Sequence, residues 1–495
     1  MKLSEMTAYL ENETVDIEKT FDFAVNKLCS NSGEVEQNDI FFAIKGATSD
    51  GNKFIPDALE RGANAVFTDG EPGITDNRIY KVSDVRKTMA VLSGAFYGFP
   101  SRKLKMVGVT GTNGKTTITS IINFVLQSAG KKTGLIGTNG NYINKRFIKT
   151  LYTTPDSIVL NGLLKEMADE QVEYVVMEVS SHSLALKRVY GIEFDAAVFT
   201  NLTPDHLDFH HDMNEYFNAK KMLFDSLGRM GSKGITPAAI YNCNDEYGAK
   251  MVSNSPAERI AYGFGCGTYS VKDLEMSFRG MKFNVLVPHN GEGIDKIAVK
   301  TRLTGKFNVH NILAAIAALK VLGLRYSEIT DYISEFEPVD GRFNLLKLAN
   351  GAQAVIDYSH TPDSLQKAIE TIREIIDENG SGGKIITVFG CGGNRDKAKR
   401  PLMGAIAAKL SGEVIITSDN PRYEEPLSII EDIKAGITSD NYFVEENREL
   451  AIQKAAELSK KGDVILIAGK GHETYQEIKG TRFHLSDKEI VERYC

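Results

Sequence analysis

The segment "LKMVGVTGTNGKTTITSIINFVLQSAG", residues 104–130, constrains the fold more than any other stretch of the chain. Its opening, "LKMVGVTG", has the apolar character of a strand, and "TTITSIINFVLQSAG" reads as a helix that stops at a glycine. A strand, a tight glycine turn and a helix N-terminus together aim backbone N–H groups at an anion, and Lys115 adds a point charge. The spelling departs from G-x-x-x-x-G-K-[ST], because Val109 stands where the first glycine belongs and Gly108 sits one residue too early. That shift does not spoil the geometry, so a nucleotide site is expected rather than an empty glycine turn. Thr116, next to the lysine, is the natural hydroxyl ligand for Mg²⁺.

Strands and helices alternate on both sides of this segment. From "NDIFFAIKG" through "ALERGANAVFTD" to "IYKVSDVRKTMAVLSGAFYGFP", short β-rich runs alternate with helical ones up to Pro100. A second series runs down to "GKFNVHNILAAIAALKVLG", whose apolar residues recur at helical spacing. After "EFEPVDGRF" a third begins, with strands "AQAVIDY", "KIITVFG", "EVIITS" and "DVILIAG" separated by amphipathic helices such as "KRPLMGAIAAKLS" and "NRELAIQKAAELSKKG". Such alternation implies mostly parallel sheets covered on both faces. A length of 495 residues suits about three domains. The expected fold is α/β with domains at 1–101, 102–336 and 337–495, the central one built on the phosphate loop and the last Rossmann-like.

Charge and cysteines narrow the class. The formal net charge is -7 and no half of the chain is strongly basic, which argues against nucleic acid. Five cysteines, Cys29, Cys243, Cys266, Cys391 and Cys495, are scattered and form no C-x-x-C pair, so neither a disulfide framework nor a structural zinc site is expected. "MKLSEMTAYLENE" has acids where a signal peptide needs an apolar core, and no apolar run approaches ~20 residues. A cytoplasmic protein without membrane insertion is expected, most simply a monomer.

Three further stretches carry chemistry. "VEYVVMEVSSH" runs apolar to Glu178 at the strand's carboxyl end, and "FDAAVFTNLTPDHLDFHH" reads as ending in the same way with Asp205 and His206. Acids at that edge, near a phosphate loop, suit a metal that accompanies nucleotide phosphates. On "MNEYFNAKKMLFDSL", Lys220 taken alone would be a solvated helix face.

Together, "TGTNGKTT", "MEVSSH", "NLTPDHLDFH", "YFNAKKMLF", "GKFNVHNILAA", "DYSHTPDSL", "FGCGGNRDKAKRPLMG", "SDNPR" and "AGKGHETYQ", in this order along nearly the whole chain, resemble the Mur ligases of peptidoglycan synthesis, and most of all those that form the tripeptide precursor. The displaced glycine is itself a mark of that family. The resemblance implies an ATP-dependent amide ligase that adds meso-diaminopimelate, or a similar diacid, to UDP-MurNAc-L-Ala-D-Glu through an acyl phosphate, with a uridine-binding N-terminal domain.

Carried over by position, it implies that Gly111, Thr112, Asn113, Gly114, Lys115, Thr116 and Thr117 cradle ATP, with Asn308, Arg342 and Asp357 around the adenosine. Thr116 and Glu178 would hold one Mg²⁺; His206 and Lys220, the latter as a carbamate, would serve a second. The sugar-peptide acceptor would meet Ser32, Ala47, Thr48, Ser49, Thr153, Thr154, Ser180 and Arg188. The amino acid would meet Arg395, Asp419, Asn420, Pro421, Arg422, Gly469 and Glu473.

The chain departs from the family pattern at four places. "NSG" (31–33) stands for D-S-R, Tyr152 and Leu186 stand where polar residues are common, and Asn394 replaces an aspartate. These leave open a relative that has drifted to another acceptor or amino acid. Folylpolyglutamate synthetase shares the central architecture but lacks a domain ahead of the loop, and a phosphate-loop switch or motor would need no amino-acid pocket. A dehydrogenase is disfavoured because "GCGGNR" has Arg395 where G-x-G-x-x-G needs its last glycine.

Overall fold

The computed structural model describes residues 1–10, 22–46, 49–150, 152–228, 233–288, 293–378, 380 and 382–495. Ala47 and Thr48 lie outside the described residues.

Three main sheets follow one another along the chain. The first has four parallel strands, Leu28–Cys29, Asp39–Ala43, Ala63–Thr68 and Ile79–Lys81, side by side in chain order. The third has six strands, in the order Asn344–Lys347, Gln353–Asp357, Val464–Ala468, Ile385–Phe389, Glu413–Ile416 and Tyr442–Val444. Only its first strand is antiparallel. The central strands of this sheet read as unbroken apolar runs because both their faces are covered by helices, and all five residues of Ile385–Phe389 and of Val464–Ala468 are buried.

The middle sheet has eleven strands. At its centre Lys105–Thr110 lies between Tyr174–Glu178 and Ala196–Phe199, parallel to both. The helix Lys115–Ser128 leaves the central strand and packs on the helix Lys306–Val321. Eleven of the sixteen residues of Lys306–Val321 are buried, which explains its nearly continuous apolar sequence. Both edges turn antiparallel: Tyr269–Ser277, Gly280–Pro288 and Ile294–Thr301 form a meander on one side, and Gly140–Ile143 with Arg146–Ile148 finish the other. The sequence reading expected only strand–helix alternation here.

A disulfide joins Cys243 and Cys266. It is one staple rather than a framework, and spacing alone could not reveal it. Strands Ala238–Asn242 and Glu258–Phe264 pair in parallel, bringing the residues just past their ends together. Among the described residues no helix is long and apolar enough to cross a membrane.

Candidate functional site

The phosphate loop closes on itself. Lys115 Nζ donates to the carbonyls of Gly111 and Thr112, each at 2.9 Å. Gly111 and Gly114 have φ of 145° and 91°. A Cβ on Gly111 would stand 1.8 Å from Thr200 Oγ1, and one on Gly114 2.6 Å from Asn311 Oδ1, so these two glycines make the turn. Gly108, the residue that looked out of place, lies inside the strand and takes no part in it.

Glu178, 1% exposed, accepts from the backbone N–H of Thr138 at 2.9 Å and from its hydroxyl at 3.1 Å. Its carboxylate favours the charged form of Lys115, whereas burial, the larger influence, pulls that lysine below its ordinary range. Asp205 and His206 are not at a strand end as the sequence suggested. The strand stops at Phe199, and Asn201 and Leu202 are tied back to Asn113 and Asp245, so the two residues arrive by a loop that passes Pro204. His206 nevertheless lies nearby: its ring is 6.2 Å from that of Tyr216, its Nε2 is 3.4 Å from Asp205, and burial, opposed by the Asp205 charge, pulls its imidazole below the ordinary range. His182 packs 4.8 Å from it, centroid to centroid.

Lys220 is not on a solvated face. It is 1% exposed, its Nζ donates to the Gly111 carbonyl at 2.9 Å, and it lies 4.4 Å above the Tyr216 ring. Burial, and then the charge of Lys115, push its amine well below the ordinary lysine range. The half-buried Lys115 and the buried Lys220 therefore share one carbonyl oxygen, that of Gly111.

A cavity of about 350 Å³ opens next to the loop, between the middle and third sheets. Asn113, Gly114, Thr117, Asn308, Arg342 and Asp357 line it, all of them positions expected around ATP. The two layers touch here: Asn113 Nδ2 donates to Asp363 at 3.2 Å, Arg342 Nη2 to Thr116 Oγ1 at 3.3 Å, and Lys306 pairs with Glu374 at 2.6 Å. Asp357 accepts from the N–H of Phe343 at 2.8 Å, and burial pushes its carboxyl up.

On the acceptor side, Thr154 Oγ1 donates to the backbone carbonyl of Glu178 at 2.9 Å and accepts from Ser180 N–H at 3.2 Å. Thr153 and Thr138 exchange a hydroxyl contact at 3.1 Å, and Arg188 Nη1 donates to the Thr154 carbonyl at 2.9 Å. Ser32 is buried in a short turn of the first layer, and Ser49 accepts from Gly46 N–H through its carbonyl at 2.8 Å. In the third layer Asn420 Nδ2 donates to Glu473 at 2.8 Å, and Arg422 Nη1 to the Gly393 carbonyl at 2.8 Å. A Cβ on Gly392 would fall 3.0 Å from Arg422 Nη1 and 3.8 Å from Arg395 Cγ, so the two arginines flank one glycine loop. Asp419 Oδ2 would be 2.7 Å from a Cβ on Gly469, and Pro421 is buried between these loops.

The sequence matches the Mur ligase family's catalytic domain over residues 25–97, the Mur ligase middle domain over 109–319 and the Mur ligase glutamate ligase domain over 341–471. The chain belongs to the Mur ligase family. As a Mur ligase it is an ATP-dependent acid–amino-acid ligase. The UDP-N-acetylmuramoyl-L-alanyl-D-glutamate--2,6-diaminopimelate ligase 1 of Clostridium acetobutylicum is 42% identical over 474 residues, 95% of this chain and 94% of that one. The corresponding ligase of Phocaeicola vulgatus is 44% identical over 463 residues, 92% of each chain. A solved UDP-N-acetylmuramoyl-L-alanyl-D-glutamate--2,6-diaminopimelate ligase shares 31% identity at a TM-score of 0.69, covering 99% of this chain and 98% of that one. Folylpolyglutamate synthase of Mycobacterium tuberculosis shares the fold at 16% identity and a TM-score of 0.62, but over only 77% of this chain.

Within this Mur ligase the departures have local structural accounts. Asn31 caps the turn Ser32–Glu34, its side chain accepting from Gly33 N–H at 3.1 Å. Tyr152, 57% exposed, stacks 4.8 Å above the Arg188 guanidinium. Asn394, at φ 53°, accepts from Tyr423 N–H at 3.0 Å. Leu186 is the residue that ends the short helix Ser181–Ala185. Sequence reasoning missed several Mur ligase residues. Asn242, Asn244, Asp245 and His310 line the cavity beside the glycine loop, where the polar cluster "NCND" after an apolar strand was the available signal for the first three. Lys470, fully buried, donates to Asn420 at 3.3 Å and to Glu473 at 3.2 Å, so it ties together two of the residues expected around the amino acid.

Proposed function

We propose that the chain joins meso-diaminopimelate, or a diacid of its shape, to the D-glutamyl carboxylate of UDP-MurNAc-L-Ala-D-Glu in peptidoglycan precursor synthesis. The curated relatives that match it nearly end to end are named for these two substrates. The observation that carries the reading is the convergence of Lys115, Lys220, Glu178 and His206 on one chamber, between the nucleotide cavity and the threonines of the acceptor side. Each of the segments 1–101, 102–336 and 337–495 would then hold one substrate, with the enzyme acting as a cytoplasmic monomer.

The chemistry requires such a chamber. Joining an amine to a carboxylate in water is uphill, so the carboxylate first attacks the γ-phosphate of ATP, giving an acyl phosphate and ADP. Both partners are anions, and Lys115 offsets their repulsion. The free amine then attacks the acyl carbon, and phosphate leaves from the tetrahedral intermediate. The dry walls matter because an exposed acyl phosphate would hydrolyse.

The hydroxyl of Thr116 and the acceptor-only carboxylate of Glu178 would supply hard oxygen donors of the kind Mg²⁺ takes. The second pair fits only after modification, because the ammonium of Lys220 would repel a cation, whereas its carbamate would join the imidazole of His206. Bound there, Mg²⁺ supplies countercharge to the phosphates.

Arg422 is the residue proposed to select the amino acid. Diaminopimelate differs from lysine by a carboxylate on the far carbon, and a guanidinium can hold that group through two parallel hydrogen bonds. Among the described residues Arg422 spends only Nη1 on a hydrogen bond, to the Gly393 carbonyl, and its Nε lies 3.8 Å from Glu477. Arg422→Ala should cost about 2 to 4 kcal/mol in kcat/KM for the diacid and much less for lysine. Phosphate release from ATP, measured with UDP-MurNAc-L-Ala-D-Glu and a panel of amino acids, tests both claims. L-Lysine used as well as the diacid would end the specificity claim, and release indifferent to any amino acid would end the ligase reading of these substrates.

A further inference from the structure

The third layer buries an arginine that the reaction so far leaves unused. Arg400 is fully buried in the first turn of the helix Lys399–Leu410, an end where the helix dipole disfavours a cation. A desolvated charge in such a place persists only when it is paired and hydrogen-bonded. Its Nη1 donates to Glu424 at 3.0 Å and to Asp432 at 2.8 Å, and its Nη2 donates to the other oxygen of Glu424 at 3.0 Å and to the Gly392 carbonyl at 3.2 Å. Glu424 is therefore held by a two-pronged fork, which fixes both its place and its plane. The hydrogen bonds of that fork hold the Glu424 carboxyl down to about 2, so the pair stays ionised. Glu424 in turn accepts from Asn394 N–H at 2.5 Å, Asn394 accepts from Tyr423 N–H at 3.0 Å, and Gly393 N–H donates to the Asn420 carbonyl at 2.9 Å. Loop 392–394 and turn 420–424 are thus bonded into one unit with Arg400. Consecutive carbonyls of the loop are taken by two arginines, Gly392 by Arg400 and Gly393 by Arg422.

We propose that Arg400 is a positioning residue for the choice of amino acid: acting through Glu424 and the Gly392 carbonyl, it holds the Arg422 guanidinium where a far carboxylate can meet it. The inference rests on the diacid specificity proposed above. Backbone conformation shows why such a brace is needed. Asn394 and Arg422 have φ of 53° and 52°, the left-handed region, which a residue with a side chain keeps only where its surroundings over-determine it. The ring of bonds through Arg400 does this for both residues at once. Its remaining contact, with Asp432, reaches the helix Pro426–Lys434 instead of the loop or the turn.

Steady-state kinetics of wild type, Arg400→Lys, Glu424→Gln and Asp432→Asn, with meso-diaminopimelate, ATP and UDP-MurNAc-L-Ala-D-Glu varied in turn, separate positioning from general support. Arg400→Lys keeps the charge without the fork, and Glu424→Gln keeps the shape but offers the fork a single oxygen. Each should raise KM for the diacid about 10-fold, lower kcat less than about threefold and leave the other two KM values within about twofold. Glu424→Gln, at a partly exposed side chain, carries the test if Arg400→Lys does not fold. Asp432→Asn should leave all three KM values within about twofold, because it touches neither the loop nor the turn. In an Arg422→Ala background Arg400→Lys should raise KM for the diacid no further, because the residue it positions is gone. Unchanged KM for the diacid, an equal rise for all three substrates, a rise as large in Asp432→Asn, or a further rise in the Arg422→Ala background overturns the positioning role. L-Lysine used by wild type as well as the diacid overturns the specificity reading and this inference with it.

Discussion

Lys220→Ala is expected to lose turnover on the order of 10³-fold and to regain part of it when acetate or another short carboxylate is added. The argument starts from burial. A buried ammonium, with Lys115 sharing the one hydrogen-bond acceptor it has among the described residues, is pushed toward the neutral amine. A neutral amine can attack CO₂, forming an N–C bond and releasing a proton, and the product is a carboxylate where the chain supplied a cation. An added carboxylate can occupy the space that alanine leaves, whereas Lys220→Arg stays charged and cannot form the carbamate, so it should not be rescued. Phosphate release with and without acetate checks this. Full activity in Lys220→Ala would show that neither the charge nor the carbamate takes part. Mass spectrometry of the native protein under CO₂ supplies an independent reading of the adduct.

Lys115→Ala and Glu178→Ala should each lower turnover by at least ~100-fold, the size typical of losing one preorganised charge-stabilising group. The two act differently. Lys115 already holds the Gly111 and Thr112 carbonyls, so its loss removes a phosphate partner and a brace of the loop together. Glu178 is fixed by both donors of Thr138, so its loss removes the carboxylate proposed to hold Mg²⁺ and leaves the Thr138 N–H without that acceptor. Circular dichroism should show native helix content in both variants, and wild-type rates in either would sink the assignment of the nucleotide site.

The sheets and the phosphate loop were legible because their signals are local. Apolar runs of strand length, helical periodicity and a glycine turn are read within a few tens of residues. Lys220 shows where local reading went astray although the signal existed. Tyr216, Ala219, Leu223 and Phe224 are all buried on the helix Met213–Asp225, and Lys220 falls at i+4 from the tyrosine and i−4 from the phenylalanine, on the core stripe. A lysine on that stripe signals a functional charge, and the neighbouring Lys221 disguised it. The positions of Asp205 and His206 were less accessible, because a loop rather than a strand end delivers them. The nucleotide cavity was least accessible: Asn244 and His310 meet at 3.0 Å although they are 66 residues apart, and nothing local announces that contact.

The contact of Asn113 with Asp363 and of Arg342 with Thr116 means that the cavity beside the glycine loop has two walls, one from the layer of the middle sheet and one from that of the third. A ligand that needs both walls binds only while they are together, so its apparent affinity is scaled by the fraction of molecules in which they meet. Reciprocity then applies: whatever free energy wall closure adds to nucleotide binding, the nucleotide returns to wall closure. ATP held by both walls would thus be a mechanical fastener as well as a reagent.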